Sequence, residues 1–204
     1  MTPMYTTFRR AAGRFLPALA LMTVCASRIP AQDTHSHTDA AGQQEADAAN
    51  QTNVNALIQA VRTATTPFQD VHVAMAQGYT LQFGCVSGDA AGAMGLHYVN
   101  STLVNSGVLD PAHPQIVIYE PKADGTLQLI GADFLVLASV WNATHSSPPE
   151  MMGQLFHLFD SPNRFGLPAF YTLHVWAWKN NPNGAFVNWH PNVSCKLYSP
   201  QSVQ

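Results

Sequence analysis

The sequence predicts an α+β fold, an antiparallel sheet of about five strands with two or three packing helices. Three observations carry this expectation. Apolar residues recur at helical spacing in two separate segments, alternating strand-like runs fall between and after them, and two pairs of these runs are joined at Asp124-Gly125 and Asn183-Gly184.

The first residues belong to a different class of segment. Arg9, Arg10 and Arg14 precede the apolar run FLPALALMTVCA, which is too short to span a membrane and has the charge order of a secretory signal. Residues 1–31 are therefore expected to be a signal peptide, cleaved after Ala26 or after Ala31. Arg9-Arg10 is followed by Ala11-Ala12-Gly13 where a twin-arginine signal carries a bulky apolar residue, and Met22-Thr23-Val24 make a poor lipobox before Cys25. The expected product is secreted or periplasmic, without membrane contact once the signal is removed.

Cleavage after Ala31 leaves 204 − 31 = 173 residues, enough for one domain with a sizeable core. Four of the nine Lys/Arg are removed and none of the twelve Asp/Glu, so the remaining charge is 5 − 12 = −7. That balance excludes nucleic acid as a natural partner. Cys85 and Cys195 remain, an even pair in an oxidising compartment, and are expected to form a disulfide.

Residues 32–52 are polar and lack aromatic or branched aliphatic side chains, so they read as a disordered acidic tail ahead of a single globular domain at 53–204. The His35 and His37 pair in this tail is flanked by Asp33 and Asp39, an arrangement that catches metals only loosely. Val54, Leu57, Ile58 and Val61 form a helical stripe, and Thr66-Pro67-Phe68-Gln69 opens a second helix carrying Phe68, Val71, Met75 and Tyr79 up to Gly78. Ser147-Pro148-Pro149-Glu150 has the same spacing and predicts a third helix, with Met151, Met152, Leu155, Phe156 and Phe159 on one side, ending before Pro162.

The expected strands are 96–99, 115–120, 127–137, 171–178 and, more weakly, 185–189. Alternation sorts their side chains by face. In 171–178 one face collects Leu173, Val175 and Ala177, the other His174, Trp176 and Trp178. Asp133 falls in the stripe Leu127, Leu129, Gly131, Leu135, Leu137, while Glu120 shares a face with Ile116 and Ile118, and His97 with Val99. An unpaired charge or imidazole on an apolar face is costly, so these groups are expected to have partners. His97, His174, Asp133 and Glu120 form a candidate metal-ligand set for a divalent ion, Zn²⁺ or Cu²⁺. Against it stand the plain alternative, in which the histidines bond backbone carbonyls and the carboxylates sit at exposed strand ends, and a metal-free catalytic His/carboxylate pair. Trp176 and Trp178 are candidate walls of a ligand pocket, with core packing as their commoner use.

The stretches GAMGLHYVN (92–100), PQIVIYEPKADGTLQLIGADFLV (114–136) and LHVWAWKNNPNGAFVNWHPNVSC (173–195) resemble those of a family of uncharacterised secreted bacterial proteins. The resemblance spans most of residues 54–195 and implies a compartment and one compact domain, but no substrate. Members of that family often carry Glu-Tyr where this chain has Asp133-Phe134, which implies an acid at that position in both cases. No GxSxG, CxxC, HExxH or glycine-rich phosphate loop is present, which removes the most familiar catalytic classes. Three classes remain: a metal-dependent secreted enzyme, a metal-free small-ligand binder, and a structural or interaction protein. The expected partner is a metal ion or a small molecule.

Overall fold

The computed structural model describes residues 38–88 and 90–200; the expected signal segment, Cys25 and the His35/His37 pair lie outside them. Helix α1 (Thr38–Thr65) comes first, followed by a short 3-10 turn (Thr66–Gln69) and α2 (Val71–Ala76). Strands β1 (Thr80–Gly88) and β2 (Gly92–Val99), helix α3 (Ser101–Ser106), strands β3 (Ile116–Pro121) and β4 (Leu127–Leu137) and helix α4 (Ala138–Trp141) come next. The short strands β5 (Glu150–Met151), β6 (Gln154–Leu155) and β7 (His157–Phe159) then lead to β8 (Phe170–Val175). The main sheet is antiparallel at every pairing, in the order β1-β2-β3-β4-β8-β7. This is the α+β architecture the sequence predicts, with one strand more than expected in the main sheet.

One face of the sheet lies under the helices. Leu57 and Val61 of α1 pack on Ala132, Phe134, Val136, Leu173 and Val175, while Phe68 and Ala74 pack on Leu96, Tyr98, Val117 and Tyr119. Buried aliphatic and aromatic area of this kind contributes roughly 1.5–3 kcal/mol per side chain. The opposite face is covered by loops. Phe165 and Leu167, together with Val193 and Cys195 of the C-terminal segment, pack over Ile116, Ile118, Ile130, Leu135, Phe159 and Phe170. The disulfide expected between Cys85 and Cys195 is present, with Cα atoms 5.7 Å apart, and it ties this C-terminal cover to β1.

Bulges curl the sheet. The β1–β2 register shifts between Gln82 and Cys85, where Phe83 (φ 63°) and Gly84 (φ 65°) take left-handed backbone, and the β3–β4 register shifts after Ile118. The second shift puts Ile130 on the loop-covered face and Leu129 on the helix face, so the expected single stripe Leu127 to Leu137 is broken in the middle. At Gly131 a Cβ atom would stand 2.5 Å from the Val175 carbonyl oxygen, so only glycine lets β4 approach the end of β8 this closely.

Several local expectations are corrected. Residues 38–52 are not a disordered tail but the first turns of α1; from 42 to 53 they are exposed, and the Ala, Gln and Glu residues there are strong helix formers that continue the helix without burying a face. The second helix starts later than Thr66, because the carboxylate of Asp70 caps α2 by accepting from the His72 backbone N–H at 2.9 Å. No helix forms at 147–159. Met152 (φ 49°) and Gly153 (φ 80°) instead make the two-residue turn of the β5–β6 hairpin, a conformation that overrides the capping-box spacing. Strand β8 ends at Val175 rather than Trp178, and 185–189 is not a strand, although the Trp176 N–H donates to the Ala185 carbonyl.

Candidate metal centre

The loop-covered face of the curled sheet holds three buried polar side chains together. His97 of β2, Asp133 of β4 and His174 of β8 each offer a ligand atom, and these atoms all lie within 4.8 Å of one another. Asp133 and His174 are direct cross-strand neighbours. His97 is two strands further across the sheet from β4, in register with Ile118 of β3, and reaches the pair only because the sheet curls.

Hydrogen bonds set the state of each ring. His97 Nδ1 lies 3.2 Å from the Gly95 carbonyl, and a carbonyl oxygen can only accept, so the proton sits on Nδ1 and Nε2 presents a bare lone pair. That lone pair faces His174 Nε2 at 3.4 Å, with the two rings nearly perpendicular. The other edge of His174 faces acceptors: Asp133 Oδ1 stands 3.6 Å from His174 Nδ1, and the Asn188 side chain interacts with the same ring. His174 Nδ1 and Asn188 Oδ1 are both buried without a completed hydrogen bond, one a natural donor and the other an acceptor. His174 has two tautomers here: with the proton on Nε2 it donates to His97 Nε2 at 3.4 Å, and with the proton on Nδ1 it faces Asp133 and Asn188 and leaves Nε2 bare.

The electrostatics keep both rings neutral. Burial first, then the neighbouring His174, holds His97 below the usual imidazole value, and burial first, then His157, does the same to His174. Asp133 moves the other way. Burial pushes its carboxyl up, against hydrogen bonds from the Thr172 hydroxyl at 2.5 Å and from the Leu173 backbone N–H. With the His174 proton on Nδ1, two lone pairs face each other at 3.4 Å beside a buried carboxylate, an electron-rich arrangement suited to a cation.

The space matches a single ion and little more. The cavity at these residues measures about 30 Å³, enough for an ion or a water molecule. Besides the three ligand residues and Thr172, its walls are apolar, including Met94, Ile116, Leu135 and Phe170.

The other candidates lie elsewhere. Glu120 is not part of the group: its carboxylate binds Lys179 Nζ at 2.5 Å and accepts from the Ser194 backbone N–H at 3.1 Å, so it holds the C-terminal cover next to Cys195. Trp176 and Trp178 do not line this cavity. The Trp176 indole N–H donates to the Val187 carbonyl at 2.6 Å and its ring packs in the loop-side core. Trp178 falls on the helix side because the alternation stops at Val175, and it donates to Thr65 Oγ1 at 2.9 Å. Sequence reasoning missed Thr172 and Asn188. Thr172 was legible as a residue two positions before His174 on the same face, whereas Asn188 lies in a loop that no period describes. No family model, curated protein or solved structure matches this chain.

Proposed function

We propose that His97, His174 and Asp133 bind one divalent transition-metal ion, Zn²⁺ or Cu²⁺, in a protein that works outside the cytoplasm. The observation that carries the reading is the facing pair of neutral imidazole nitrogens at 3.4 Å with a buried carboxylate beside them. Ligand bonds of about 2.0–2.2 Å to a shared ion put cis nitrogens roughly 3 Å apart, close to what the rings already adopt. Deprotonated histidines are what metal binding needs, and burial supplies them without competition from protons near neutral pH. Export is supported by the Cys85–Cys195 disulfide, which persists in oxidising compartments.

Three protein ligands leave a coordination position open. An open position is the mark of a centre that binds or transforms a guest rather than one that only braces the fold. The test is metal content of the purified protein followed by titration of the stripped protein with Zn²⁺ and Cu²⁺. One equivalent bound per chain, lost in His97→Ala and His174→Ala variants that keep the wild-type circular dichroism, is the expected result. A stripped wild type that takes up neither ion would end the reading.

A further inference from the structure

The surroundings of the metal centre restrict what can reach its open position. At the mouth stands Phe83, half exposed, on left-handed backbone (φ 63°), with its ring 5.6 Å from Phe165. A phenylalanine in that region of backbone space is costly and is kept only where its surroundings require it. Phe83 lines the ligand cavity and also an adjoining groove of about 240 Å³. Ile116, Leu135 and Leu167 line both, so the two spaces share an apolar wall. The groove's polar edge consists of neutral groups, Gln82, Ser101 and Asn105, and neither space has a lysine or arginine in its lining.

Charge and size then select a guest. A divalent ion with one aspartate and two neutral imidazoles carries a net charge of +1, which one anionic oxygen group neutralises. A second charge on a guest lying along this groove would meet only apolar or neutral walls and lose its hydration uncompensated. A groove of about 240 Å³ is smaller than the roughly 300–1,000 Å³ of pockets for drug-sized ligands. We infer that the site takes a small, singly anionic molecule with an apolar body, such as a short-chain fatty acid, its oxygen directed at the metal and its chain lying in the groove beside Phe83. This inference rests on the metal reading and adds the chemical class of the guest.

The experiment uses Co²⁺-loaded full-length protein, whose visible spectrum reports ligand entry, titrated with acetate, butyrate, hexanoate, octanoate and succinate. Affinity should rise by up to about fourfold per methylene buried until the chain outgrows the groove, the fold-change equivalent of ~0.8 kcal/mol. Succinate should bind more weakly than butyrate, and Phe83→Ala should flatten the chain-length dependence while acetate still perturbs the spectrum. Failure of Co²⁺ to bind overturns the metal reading and this one with it. Co²⁺ bound normally, with acetate, octanoate and succinate equally effective or all ineffective, overturns the guest class alone.

Discussion

His97 Nε2 and His174 Nε2 lie 3.4 Å apart although β3 and β4 separate their strands in the sheet. In a flat sheet, strands three ladder steps apart are roughly 14 Å from each other, beyond what two imidazoles can close. The meeting of these rings is therefore a consequence of sheet curvature, and between their strands lie the bulge at Ile130 and the close approach at Gly131.

Gly131→Ala tests that dependence. Its added methyl would collide with the Val175 carbonyl, so β4 and β8 must move apart. We expect a loss of about 1–3 kcal/mol in chemical denaturation, in the range of overpacked cores, together with weakened Zn²⁺ binding. Unchanged stability and affinity would show that curvature is held elsewhere.

Asn188→Leu should weaken Zn²⁺ binding by about 10–100-fold, the usual effect of removing a group that orients a metal-binding histidine. The physical cause is loss of the acceptor beside His174 Nδ1, which lets the ring sample the tautomer with its proton on Nε2. Imidazole ¹⁵N shifts should report a mixed tautomer in this variant and a single one in Asn188→Asp, which retains an acceptor. Unaltered shifts and affinity in Asn188→Leu would reduce Asn188 to a packing role.

Acid should destabilise the metal-free protein as pH falls below 6.5, the ordinary imidazole value. Both histidines titrate lower in the folded chain, so over that window the unfolded chain takes up two protons that the folded chain does not, and stability is lost as pH falls. Asp133 acts in the opposite sense. Its folded value lies above 3.8, so the folded chain binds a proton there before the unfolded chain does, which offsets part of the loss. Asp133→Asn removes that offset and should make the decline steeper. Denaturation midpoints at about pH 7.5, 6 and 5 would measure this, and a flat wild-type profile would contradict the neutral buried imidazoles.

Replacing both cysteines with serine should cost roughly 4–5 kcal/mol in the chain-entropy account of a closed loop, here with a sequence separation of 110. Zn²⁺ affinity should drop as well, because Asn188 belongs to the C-terminal segment that the disulfide anchors. Loss of stability without loss of affinity would show that Glu120 and Lys179 hold that segment well enough alone.

What the sequence determined by itself was local. A period of two placed His97, Asp133 and His174 on faces otherwise occupied by apolar residues, because successive side chains of any strand point to opposite sides. The same reasoning located β3, β4 and the tight turn between them, and the even cysteine count pointed to the Cys85–Cys195 bond. Tertiary structure decided the rest. Glu120 and Asp133 look alike as carboxylates in apolar stripes, yet Lys179, distant in sequence, claims one, while curvature brings two histidines to the other. The Ser147–Glu150 spacing favours a helix, but β7 pairs with β8 and the turn at Met152-Gly153 supplies a second hairpin, so long-range pairing overrode a weak local preference. Bulges are invisible to periodicity because they break it. Their effect, a sheet curled far enough for its second and fifth strands to share a ligand cluster, depends on which strands lie between, and no local pattern encodes that.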